Sequence, residues 1–146
     1  MAVVATQQSI RSHRAGSISG VLAAASCLCL TLAMDARAAE DPPYIAQEST
    51  KVDARTLAGW RAIRQFDCAR CHGARYQGNL GPSLVEAARA NTRAQFVRLL
   101  LDGNRDRGMP PYREVRGVAD NADGIYGYFR GRADGVIGPG ALQLLR

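Results

Sequence analysis

A small all-α domain is what this sequence predicts, on three observations. Apolar residues recur at helical spacing in separate segments, capping residues open those segments, and no segment alternates with the two-residue period of a strand. No internal repeat is present, so one core rather than a solenoid is expected.

The amino-terminal stretch reads as a targeting element. Arg11, His13 and Arg14 precede an apolar run from Val21 to Ala33 that is too short to span a bilayer with its flanks. Ala36-Arg37-Ala38 then supplies an A-x-A processing signal, which predicts a cleaved signal peptide over 1–38 and a soluble, exported, periplasmic protein with no stable membrane insertion. Acylation at Cys27 and retention as an anchor are the alternatives. Cleavage removes Cys27 and Cys29 and leaves Cys68 and Cys71, so no disulfide framework is expected. Loss of Arg11, Arg14, Arg37 and Asp35 from the 19 basic and 13 acidic residues leaves a net charge of +4. The basic residues are scattered, which excludes a nucleic-acid stripe and predicts no nucleic-acid partner.

Residues 39–51, with Asp41-Pro42-Pro43-Tyr44, read as an extended and loosely held lead-in. A domain over 52–134 follows. Its first helix runs from an Asp53 cap to about Phe66, with Leu57, Trp60, Ile63 and Phe66 as its apolar stripe. The segment from Gly73 to Pro82 is turn-rich. Ser83-Leu84-Val85-Glu86 and Thr92-Arg93-Ala94-Gln95 are capping boxes that open two short helices. The second of these presents Phe96, Leu99 and Leu100 on one face and stops at Gly103. From Asn104 to Val118 there is no helical period, and Met109-Pro110-Pro111 forbids one locally. The last helix starts near Asn121 or Asp123 and turns Ile125, Tyr128, Phe129 and Arg132 inward. Gly127 and Gly131 weaken it, which points either to close backbone packing or to simple tolerance. The tail over 135–146 is expected to wrap the surface.

The chemistry sits in Cys68-Ala69-Arg70-Cys71-His72, because C-x-x-C-H is the attachment pattern of a c-type haem. Each thiol can add to one haem vinyl group, and the next residue sets an imidazole under the iron. A redox dithiol or half a zinc site is the alternative for the two cysteines, without a second cysteine pair to support it. After processing, His72 is the sole histidine and Met109 the sole methionine. Met109 is therefore the one thioether available across the ring, held in Gly108-Met109-Pro110-Pro111-Tyr112, with a core gap-filler as the alternative. Ligation by histidine and methionine fills both axial positions, which predicts a one-electron carrier and not an enzyme. A haem enzyme or gas sensor, with Met109 off the iron, is the other class. Gly81-Pro82 lies ten residues after His72, where a returning loop could offer the Pro82 carbonyl to the imidazole Nδ1, or form an ordinary turn.

Together these residues resemble the class I c-type cytochromes over most of Asp53 to Arg132. The resemblance rests on the helix leading into the haem motif, Asn79-Leu80-Gly81-Pro82-Ser83-Leu84, Met109 in its Pro-rich loop, and an aromatic final helix. It implies the cytochrome c fold, with first and last helices crossing around one covalent heme c and Gly59 and Tyr128 at the crossing. The family places an aromatic residue four positions before the first cysteine, where this chain has Arg64, preceded by Ile63. The stretch from Ile125 to Gly140 resembles the ending of small periplasmic cytochromes that accept electrons from PQQ-dependent alcohol dehydrogenases. That likeness implies such a dehydrogenase as donor and a downstream cytochrome or oxidase as acceptor. Helix packing accounts for the aromatics equally, and a general carrier feeding a terminal oxidase is the alternative. Arg70, Arg75 and Arg113 flank the two haem-binding segments and are the candidate steering charges.

Overall fold

The computed structural model describes residues 41–146, and the expected signal over 1–38, with Cys27 and Cys29, lies outside the described residues. Helix α1 spans Ala54–Gln65, α2 Ala69–His72, α3 Leu84–Ala90, α4 Arg93–Asp102, α5 Arg116–Ala119 and α6 Ala122–Ala133, with a 3₁₀ turn at Arg105–Arg107. The capping signals act where the sequence puts them. Asp53 accepts from the Thr56 N–H at 3.0 Å, and Thr92 and Gln95 form the reciprocal box, whereas Ser83 accepts from the Glu86 N–H at 3.1 Å without the return bond of a box, because the Glu86 carboxylate faces Arg89. Helix α4 ends on Gly103 and α6 begins after Asn121.

Helices α1 and α6 make the central packing, and glycine is the reason they meet so closely. A Cβ on Gly59 would lie 2.0 Å from the Gly124 carbonyl carbon, and one on Gly124 would lie 2.1 Å from the Arg55 carbonyl oxygen. Backbone thus touches backbone, and the crossing falls at Gly59 and Gly124, one helical turn before Tyr128. Tyr128 lies fully buried beyond the crossing, its ring 5.0 Å from Phe129 and 6.3 Å from Tyr76. Gly127 and Gly131 also mark close packing. Their missing side chains admit the Pro43 carbonyl and the Ile137 side chain.

Four expectations need correction. Residues 41–52 are not loosely held: β1 (Ala46–Gln47) pairs antiparallel with β2 (Lys51–Val52), and β2 pairs parallel with β3 (Gln143–Leu144) in the tail. The tail also buries Ile137 and Leu142, so both flanks pack as parts of the helical core. Leu99 is half exposed, because α4 seats Phe96 and Leu100, four residues apart, and leaves Leu99 at the edge of that stripe. The stretch after Asn104 holds two short helical turns, at 105–107 and 116–119, too brief to show a period.

Candidate haem site

The end of α1 sets the first cysteine. Asp67 adopts a left-handed conformation, with φ 47°, and the Cys68 N–H donates to the Ile63 carbonyl at 3.0 Å while the Asp67 N–H donates to Arg64 at 3.3 Å. This is the Schellman closure of a helix, made here without glycine. It also explains the shifted apolar position. Ile63 is buried, whereas Arg64 is exposed with its guanidinium 5.0 Å over the Trp60 ring.

Cys68 is half-buried and Cys71 exposed, with no disulfide between them, at either end of one turn of α2. Burial pushes the Cys68 thiol up to about 11. His72 closes that turn and is buried, donating its N–H to the Cys68 carbonyl at 3.1 Å. The chain then folds back beneath it. Gly78 donates to the His72 carbonyl and Gly81 to the Cys71 carbonyl, both at 2.8 Å.

This return brings the Pro82 carbonyl 2.7 Å from His72 Nδ1. A carbonyl can only accept, so Nδ1 carries the proton and Nε2 keeps its lone pair for a metal. Gly81 lies against the same ring, where a Cβ would sit 2.8 Å from Cε1. Sequence reasoning named Gly81 for the turn and missed this contact, which only the folded loop reveals.

Met109 is half-buried and held by its backbone. Its N–H and C=O exchange two 2.9 Å hydrogen bonds with Asn104, closing a small hairpin over the 3₁₀ turn, with Gly108 left-handed at φ 77°. Gly103 backs the hairpin: at φ 69°, a Cβ there would strike the Pro110 backbone at 2.6 Å. Gly103 was read from sequence only as the end of a helix and Asn104 not as a support, although a glycine on each side of the hairpin was the available signal. The Tyr112 and Arg113 N–H groups both donate to the Leu101 carbonyl, anchoring the loop to α4. Tyr112 is half-buried, and its hydroxyl is pushed above its ordinary value by burial and then by the charges of Cys68 and Cys71. The loop after Met109 therefore lies on the cysteine side of the molecule. Arg113 is ion-paired to Asp102, which offsets its charge relative to Arg70 and Arg75.

The donor set fits a haem. Two thiols three residues apart, an imidazole with only Nε2 free, and a thioether on a separate anchored loop are the groups such a centre uses. When bound, haem supplies a one-electron Fe(III)/Fe(II) couple. The protein orients the imidazole through Pro82, restrains it with Gly81 and fixes the thioether loop through Asn104. Among the described residues no cluster of three or more His, Cys, Asp or Glu side chains could hold another metal ion.

Comparison with known proteins identifies the family. Residues 54–129 match the domain family described as cytochrome c oxidase, cbb3-type, subunit III. Cytochrome c-555 of Methylococcus capsulatus is 33% identical over 96 residues, covering 65% of this chain and 76% of that protein. Cytochrome c55X of Pseudomonas aeruginosa is 41% identical over 71 residues, 48% of this chain and 58% of its own length. The crystal structure of the c-type cytochrome XoxG from Methylobacterium extorquens AM1 shares the fold, with a TM-score of 0.60 at 23% identity over 72% of this chain and 74% of that one. The chain belongs to this cytochrome c family: it is a monohaem class I c-type cytochrome, an electron carrier with covalently bound heme c.

Proposed function

We propose that Cys68 and Cys71 carry the haem through thioether bonds, that His72 and Met109 are the axial ligands, and that the exported protein shuttles single electrons in the periplasm. The observation that carries this reading is the 2.7 Å contact of His72 Nδ1 with the Pro82 carbonyl, which commits one ring nitrogen and leaves the other for iron. Met109 is the only methionine among the described residues, and its hairpin holds it from both sides of the backbone. A closed His/Met pair favours reduced iron and leaves no position for substrate, so the protein acts as a carrier.

The donor in this proposal is a PQQ-dependent alcohol dehydrogenase, with a downstream cytochrome or oxidase as acceptor. The likeness of Ile125 to Gly140 to the endings of such acceptors supports it, as do Arg70 and Arg75, both exposed beside the haem motif. Two experiments test the two levels. Met109→Ala should abolish the sulfur-to-iron charge-transfer band, lower the midpoint potential and open the iron to carbon monoxide; an unchanged spectrum would remove Met109 from the iron. Stopped-flow reduction by a reduced quinoprotein alcohol dehydrogenase should be rapid and slow with salt. No reduction, together with rapid oxidation by a terminal oxidase, would make the protein a general carrier instead.

A further inference from the structure

The proximal loop and the carboxy-terminal segment build a second feature away from the iron ligands. An open cleft of about 360 Å³ is lined by Arg75, Gln77, Ser83, Val85, Glu86, Arg132 and Pro139. Its two arginines lack carboxylate partners among the described residues, in contrast to Arg89, Arg93, Arg113 and Arg130, which are paired.

Arg132 is also fixed in place. Its Nη1 donates to the Tyr128 hydroxyl at 2.9 Å, its guanidinium lies 5.7 Å from that ring, and Tyr128 is itself fully buried. A half-buried guanidinium held by a rigid ring, with donors left over, loses little entropy when it binds an anion. Glu86 faces Arg89 at 3.7 Å, which leaves the cleft with a surplus of positive charge. Val85 and Pro139 add an apolar wall suited to a methylene stem. The cleft adjoins the loop that orients His72: Ser83, which lines it, donates from Oγ to the Tyr76 carbonyl at 3.3 Å, and the carbonyl of Pro82 before it accepts from His72.

We propose that this cleft seats a carboxylate side chain, Asp or Glu, from an acidic loop of the redox partner. The inference rests on the reading that a protein partner exchanges the electron, and it places part of the docking surface on Arg75 and Arg132.

The test is titration of the reduced, ¹⁵N-labelled holoprotein with a pentaglutamate peptide at low ionic strength, following the Nε–H resonances of Arg75 and Arg132 and the amides of residues 75–86. Saturable shifts at these groups are expected. Affinity should fall about three- to fivefold in Arg132→Gln and in Arg75→Gln, the range of an exposed ion pair. Tyr128→Phe keeps the ring and removes only the hydroxyl that holds Arg132, and should weaken binding on the order of twofold. Saturable shifts confined to Arg70, Arg105 and Arg107 would overturn the proposal. So would peptide binding unchanged in Arg132→Gln with a native Soret spectrum, or no saturable binding at all. If no quinoprotein dehydrogenase reduces the protein while pentaglutamate still seats on Arg75 and Arg132, the donor assignment falls and the cleft stands.

Discussion

Replacing Gly81 with Ala tests whether the returning loop governs His72, the proposed proximal ligand. The added methyl would sit 2.8 Å from His72 Cε1 and 2.9 Å from Nδ1, where ordinary contact begins at 3.4 Å. Gly81 does not have a positive φ, so the backbone accepts alanine and the effect is steric alone. The imidazole must move by about 0.6 Å, which stretches its bond to the Pro82 carbonyl from 2.7 Å to about 3.3 Å, past the useful range of an N–H···O bond. Such a bond is worth about 0.5–1.5 kcal/mol net. If all of it discriminates between oxidation states, it corresponds to about 20–65 mV for a one-electron couple. The sign follows from basicity. A histidine that donates from Nδ1 is a stronger ligand and favours Fe(III), so weakening the bond raises the midpoint potential. Spectroelectrochemical titration of the holoprotein measures the shift, with Gly140→Ala, which meets nothing within 4 Å, as the control. A potential equal to or below that of the wild type, in a Gly81→Ala protein that folds and binds haem, would refute the reasoning.

Gly59→Ala should destabilise the fold by about 2 kcal/mol: a clash with backbone at 2.0 Å puts the overpacking cost near its upper end of about 3 kcal/mol, and a helix-propensity gain of about 1 kcal/mol offsets part of it. Thermal melting reads this as a fall on the order of 10 °C, and a melt within error of wild type would disprove the close crossing. Asp123 is held below the ordinary carboxylate range by its hydrogen bond from Arg93, whose charge adds to the effect, so its contribution is present above the unfolded value and is lost as pH falls through the folded one. Asp123→Asn should therefore flatten part of the acid limb of the stability profile and lower stability at neutral pH by less than about 1 kcal/mol, as the pair is partly exposed. Cys68→Ala and Cys71→Ala should each sharply reduce the yield of holoprotein. Undiminished haem staining of the double variant on a denaturing gel would exclude attachment at these thiols.

Local chemistry was legible in the sequence and distant pairing was not. Asp53, Ser83, Thr92 and Gly103 announced helix ends because a cap is satisfied within three or four residues of itself. The Pro82 carbonyl could be placed near His72 because ten residues permit only a short return. The sheet left no trace, since strands of two residues carry no period and β3 finds β2 across about ninety positions of sequence. Gly124 went unnoticed for a related reason: its role exists only opposite Gly59. At the site, the donor residues could be read as a motif, whereas the support at Asn104, the second role of Gly103 behind the hairpin and the closure onto the Arg64 carbonyl depend on where the loops close.

The crossing of α1 with α6 also imposes an order on synthesis. The haem motif leaves any narrow exit about fifty residues before α6 does, and β3 follows later still. Until α6 arrives, Gly59 faces water, α1 is a short helix without a partner, and helices of that length are marginal alone. Cys68, half-buried in the finished fold, is therefore fully reachable during that interval. The delay built into the topology keeps the thiols open to modification and shuts the structure around them only afterwards.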